Sequence, residues 1–108
     1  MTVKELSEKC NFKTAAMPDG DREIDGCYIG DLLSWVMGRA EENNVWITIM
    51  SNQNIIAVAS LADVSCIVLS EGVTVEDSIL RLAEEKGVNI LLADKRTYET
   101  AVAVYETI

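Results

Sequence analysis

The sequence predicts an α/β fold, a mostly parallel sheet of about four strands with helices on both faces. Three observations predict it. Residues 45–50, 66–69 and 88–92 are nearly continuous apolar runs rich in β-branched side chains, as strands covered on both faces require. The segments between them place apolar residues at helical spacing. The connections are short, and strand–helix alternation with short connections implies parallel neighbours and right-handed crossovers.

In chain order, Thr2 and Glu5 fit a capping box, and Val3, Leu6 and Cys10 share one face of a helix ending near Asn11. Residues 14–17 read as a short edge strand, and Pro18-Asp19-Gly20-Asp21 as a turn. Residues 26–29 read as a strand. Asp31 then reads as the N-cap of a helix carrying Leu32, Leu33, Val36, Met37 and Ala40, which Asn43-Asn44 ends.

After the strand at 45–50, Ser51-Asn52-Gln53-Asn54 is a polar junction whose Asn52 or Asn54 caps a helix over 55–62. Residues 66–69 form a strand, Ser70-Glu71-Gly72 a turn, and 75–86 an amphipathic helix with Ile79, Leu82 and Ala83 inward and Gly87 as C-cap. The strand at 88–92 leads through a turn at 94–96 to Thr97, read as the cap of a last helix carrying Tyr98, Ala101, Val102 and Tyr105.

The 108 residues are the size of one domain, expected to span residues 1–108, and 49% hydrophobic with 25% charged residues is a globular composition. Eighteen acids against nine bases give a net charge of −9, which disfavours nucleic acid and anionic membrane surfaces as partners. The N-terminal residues lack the apolar core of a signal peptide, and the most apolar stretch, 55–62, is too short to span a bilayer. A cytoplasmic location is therefore expected. Three cysteines without close pairs argue against a disulfide framework. Cys66 belongs in the core and Cys27 is expected to be partly exposed.

No histidine is present, which removes the commonest general base and metal ligand. Neither a phosphate-binding Gly-x-x-x-x-Gly-Lys-Ser/Thr nor a Gly-x-Gly-x-x-Gly occurs. Counting the acidic stretch from Asp21 as a calcium loop puts Leu32 where a bidentate Glu is required. The expectation is no catalytic residue, no metal and no cofactor.

Ligands of open parallel sheets gather beyond the carboxyl ends of the strands. At that edge the sequence places Asp31, Ser51, Asn52, Asn54, Ser70, Asp94, Lys95, Arg96 and Thr97. Hydroxyl and amide groups at helix starts, with the adjacent basic pair Lys95-Arg96, suit a small anionic or nucleotide-like ligand. Trp46 belongs in the core. Leu32, Trp35, Val36 and Met37 lie on a helix that is apolar nearly all round, which predicts a second buried face and a homodimer contact. The alternative is an adaptor for a larger complex, with the acidic loop 19–25 meeting a basic patch on a protein partner.

The block Asp21-Arg22-Glu23-Ile24-Asp25-Gly26-Cys27-Tyr28-Ile29-Gly30-Asp31-Leu32-Leu33-Ser34-Trp35-Val36-Met37 resembles the signature of the DRTGG domain family, and Asn54-Ile55-Ile56-Ala57-Val58-Ala59 is similar to that family's central helix. Cys27 stands where the signature has its second glycine. The resemblance implies a fold like the N-terminal domains of HPr kinase and of MurF-type ligases. It also implies a regulatory or dimerising role, as in phosphotransacetylases and CBS-containing pyrophosphatases. For free-standing members it implies association with iron-only hydrogenase-type electron-transfer systems. The missing phosphate-binding loop excludes a kinase activity.

Overall fold

The computed structural model describes residues 1–108. The elements run α1 (Val3–Lys9), β1 (Lys13–Ala16), β2 (Cys27–Ile29), α2 (Leu33–Arg39), β3 (Val45–Thr48), α3 (Asn54–Ala62), β4 (Cys66–Leu69), α4 (Asp77–Lys86), β5 (Ile90–Leu92) and α5 (Thr97–Thr107). One five-stranded sheet forms in the order β1-β5-β4-β3-β2. The pairs β2–β3, β3–β4 and β4–β5 are parallel, and β1 adds antiparallel to β5 with a register slip between Thr14 and Ala16. The fifth strand is the edge strand that the sequence suggested near residues 14–17.

Each step from β2 to β5 moves one strand in the same direction. Right-handed crossovers moving one way leave all their helices on one face. Accordingly α2, α3 and α4 share a core with Trp46, Ile67, Leu69 and Ile90. The opposite face holds Val45, Ile47, Cys66, Val68 and Leu91 against Val3 and Leu6 of α1, Cys10 just after it, and Val104 of α5. Alternation along the strands divides their side chains between these two cores.

The capping box forms as expected. Thr2 Oγ1 accepts from Glu5 N at 3.2 Å, and Glu5 Oε1 accepts from Thr2 N at 2.9 Å. Gly87 ends α4 in the left-handed conformation, φ +72. Trp46 is fully buried and its indole N–H donates to Gly30 O at 2.9 Å.

Two expected caps are corrected. Asp31 does not cap α2, whose N-cap is Leu32 without a side-chain bond. Its Oδ1 instead accepts from Thr48 Oγ1 at 2.6 Å and Ile49 N at 3.0 Å, pinning the β2–α2 junction to the end of β3. Thr97 is the first residue of α5, not its cap; its N–H donates to Glu71 Oε2 at 2.6 Å. In both places a side chain distant in sequence outcompetes the local cap. The second helix also ends earlier than expected, at Arg39, and Asn43 takes φ +68 in the following turn. No helix is long and apolar enough to cross a membrane.

Candidate ligand site

Because the strand order never reverses between β2 and β5, the sheet has no switch-point crevice of the usual doubly wound kind. The concavity at its carboxyl edge arises instead between two neighbouring helix starts. Residues 51–53 before α3 face residues 74–79 at the start of α4 across a cleft of about 560 Å³. Its lining is Ser51, Asn52, Gln53, Thr74, Val75, Glu76, Ser78 and Ile79.

The first backbone N–H groups of a helix have no intrahelical acceptor. At α3 the N-cap is Gln53 and makes no side-chain capping bond, so neither Asn52 nor Asn54 is the cap that was expected; Asn52 Oδ1 accepts from Asn54 N at 2.9 Å from one position further out. At α4, the N-cap Glu76 makes no side-chain capping bond, leaving the amides of Asp77 and Ser78 without intrahelical partners at the cleft. Hydroxyls, amides and these N–H groups can bind an anion or a polar ring edge. The Glu76 carboxylate is the charge that opposes an anion there.

The nine residues expected to share one site are divided among five places. Ser51 and Asn52 line the cleft. Asn54 lies outside it, in a groove between α3 and α4 with Ile56, Ala57, Leu61 and Leu82. Asp31 is engaged with Thr48 and Ile49. Ser70 is fully buried, with its Oγ 2.7 Å from Thr97 Oγ1, so these two hydroxyls tie β4 to α5. Asp94, Lys95 and Arg96 share a separate shallow concavity of about 210 Å³ with Glu71.

Glu71 organises that last corner. It sits in the left-handed region at φ +64, and its N–H donates to Lys95 O at 2.6 Å while its carboxylate caps α5. The neighbouring Gly72, φ +69, lies so close to Asp94 that a Cβ would approach Asp94 Oδ1 to 3.2 Å. Gln53, Thr74, Glu76 and Ser78 line the cleft and were missed by sequence reasoning. The available signal was a cluster of polar residues just before, and in the first turn of, an amphipathic helix.

On α2, Leu32, Trp35 and Met37 are 59%, 52% and 49% exposed, and the Arg39 guanidinium lies 4.0 Å from the Trp35 ring centre. Val36 is corrected: it is fully buried and belongs to the core, on the inward face of α2 where Leu33 also packs. The signature block has structural duties. Arg22 donates to Asn43 Oδ1 at 3.0 Å and to the Asp63 carboxylate and carbonyl, both at 2.7 Å. Gly26 has φ +78, and a Cβ there would meet Asn44 Nδ2 at 3.0 Å. Cys27 has no positive φ and sits in β2, so a side chain is accommodated at that position. The residue keeps exposed surface, but desolvation of its thiol pushes the pKa up to about 11. No three His, Cys, Asp or Glu side chains gather as a metal-holding group.

Residues 21–107 match the DRTGG domain. Among solved structures, the chain is similar to the CBS and DRTGG domains of the regulatory region of Clostridium perfringens pyrophosphatase, crystallised in complex with its activator, diadenosine tetraphosphate. The TM-score is 0.76 at 10% identity, and the superposition covers 99% of this chain and 47% of that one. The chain thus spans about half the length of that structure, and a likeness at this identity is one of fold. No curated protein matches the chain. The family match covers most of the sequence: this chain belongs to the DRTGG domain family.

Proposed function

We propose that the chain is a non-catalytic regulatory module, a single domain over residues 1–108. In this reading it binds a small anionic or nucleotide-like ligand in the cleft between α3 and α4. The observation that carries the reading is the convergence of two helix starts on one polar concavity, neither with a side-chain bond from its N-cap residue. The nucleotide activator of the structurally similar regulatory region supports the ligand class. Leu32, Trp35 and Met37 serve as the homodimer contact, and the module works in the cytoplasm.

The test is a thermal-shift screen with inorganic phosphate, adenine and guanine nucleotides and diadenosine tetraphosphate. A ligand at 100 times its Kd adds about 2.7 kcal/mol, on the order of 10 °C for a domain of this size. Ser78→Ala should reduce the shift and Glu76→Gln should increase it for anions. A flat screen removes the ligand from the reading. An adaptor role in a larger enzyme complex is the second reading, favoured by the exposed Leu32, Trp35 and Met37. A monomer by light scattering would turn that patch from a self-contact into a partner contact.

A further inference from the structure

The two edges of the sheet are treated differently. At β1, exposed Lys13 and a register slip between Thr14 and Ala16 discourage further pairing. At β2 the run Gly26-Cys27-Tyr28-Ile29-Gly30 has no charge, no proline and no bulge. Gly26 O accepts from Val45 N at 3.0 Å, and Gly30 N donates to Ile47 O at 3.2 Å, so these groups face β3. By alternation the N–H and C=O groups of Cys27 and Ile29 point away from the sheet, where no strand lies.

Beside these unpaired groups is a concavity of about 700 Å³ between β2 and α5. Gly26, Cys27, Ile29, Ala101, Tyr105 and Ile108 line it. The raised thiol pKa keeps Cys27 neutral at physiological pH, so no side chain of this lining carries a charge. Residues 23–38 and 97–108 contain no Lys or Arg, Asp25 is exposed just before β2 and the chain carries a net charge of −9, while Glu99 and Glu106 lie on the flank of α5 turned away from Ala101, Tyr105 and Ile108. A free strand edge flanked by an apolar pocket, with Asp25 at its head and a strongly acidic chain around it, has a specific complement.

We propose that β2 and α5 form a strand-addition groove for an extended segment of a partner polypeptide with alternating apolar and basic residues. The segment pairs with the backbone of Cys27 and Ile29, seats an apolar side chain in the concavity and sets its cations against Asp25 and the negative field of the chain. A second copy fits less well. Antiparallel β2 pairing centred on Tyr28 would set Asp25 opposite the partner's Asp31, between two chains of charge −9. The groove lies on the α5 face of the sheet, away from the α3–α4 cleft, so its test is independent of the proposed ligand site.

The probe is a fluorescein-labelled peptide of about ten residues alternating valine and lysine, long enough to cross the edge strand. Fluorescence anisotropy should show binding that weakens with added salt, and saturation should slow hydrogen exchange at the Cys27 and Ile29 amides. A valine–glutamate peptide, and the valine–lysine peptide N-methylated on alternate amides, should each bind about tenfold more weakly or worse, equal to the net loss of one or two hydrogen bonds or ion pairs. Ile29→Lys, at an exposed position that folding tolerates, should abolish binding. Absence of binding, equal affinity of the N-methylated peptide, or unaltered exchange at Cys27 and Ile29 would overturn the proposal. So would a peptide-free dimer with both amides already protected, which would make a second copy the occupant.

Discussion

Asn89→Ala should be among the most damaging single polar substitutions in this chain. Asn89 is 1% exposed at the entrance to β5. Its Oδ1 accepts from Asp19 N at 3.0 Å, and its Nδ2 donates to Asp19 O at 2.8 Å and to Ser65 O at 3.0 Å. One side chain thereby ties the β1–β2 loop to the start of β4. Three hydrogen bonds, one buried and two part-buried, at about 1 kcal/mol each give a loss of ~3 kcal/mol. At roughly 4 °C for each kcal/mol in a domain of this size, Tm should fall on the order of 12 °C. Urea melts should show a lower midpoint with an unchanged slope.

Asn89→Asp sharpens the test. It preserves shape but turns an oxygen toward two carbonyls, so at neutral pH it should be worse than alanine. Its folded-state pKa is raised above the unfolded ~3.9. The variant's stability is therefore greatest below that value and is lost as pH rises. A cost for Asn89→Ala below about 1 kcal/mol, or an aspartate variant that gains stability with rising pH, would refute the reasoning.

Thr2→Ala should cost about 1 kcal/mol through loss of the capping box, read by urea melts. Glu5 reports the same motif through pH. The Thr2 backbone N–H, then its hydroxyl, hold the Glu5 carboxyl below its usual 4.5. This contribution is present above pH 4.5 and is lost as pH falls through the folded value, so Glu5→Gln should flatten the acid limb of the stability profile. Gly87→Ala meets no atom within 4 Å, so its cost of about 1 kcal/mol should come from the left-handed backbone alone, with Gly87→Asn milder. Of the three thiols only Cys27 should react with Ellman's reagent in the folded state, slowly and faster toward pH 11. Burial pushes the Cys66 thiol up to about 12 from 9.0, so stability should decline above pH 9 as the unfolded thiol ionises, and Cys66→Ala should lessen that decline.

The buried strands were legible because a strand covered on both faces has few alternatives to an unbroken apolar run, as at residues 45–48 and 66–69. The capping box and Gly87 were legible because their chemistry is local. Asp31 and Thr97 were misread for the opposite reason. Their partners, Thr48, Ile49, Ser70 and Glu71, are brought to them only by strand pairing. The ligand edge was legible as an edge but not as a site. Its junctions are equivalent in sequence, and only the spacing of α3 and α4 joins residues 51–53 to residues 74–79. Asn54, one residue further, is turned by the helix into a different groove.

The sheet also divides the molecule energetically. Trp46 and Ile47 are chain neighbours, yet one belongs to the core under α2, α3 and α4 and the other to the core under α1 and α5. Side chains on opposite faces share no packing partner, so lesions such as Leu6→Ala and Ile56→Val should sum, with a coupling below about 0.5 kcal/mol in a double-mutant cycle. Sequence drift on one side can then accumulate without compensating change on the other, and two unrelated surfaces can be remodelled on a chain this short.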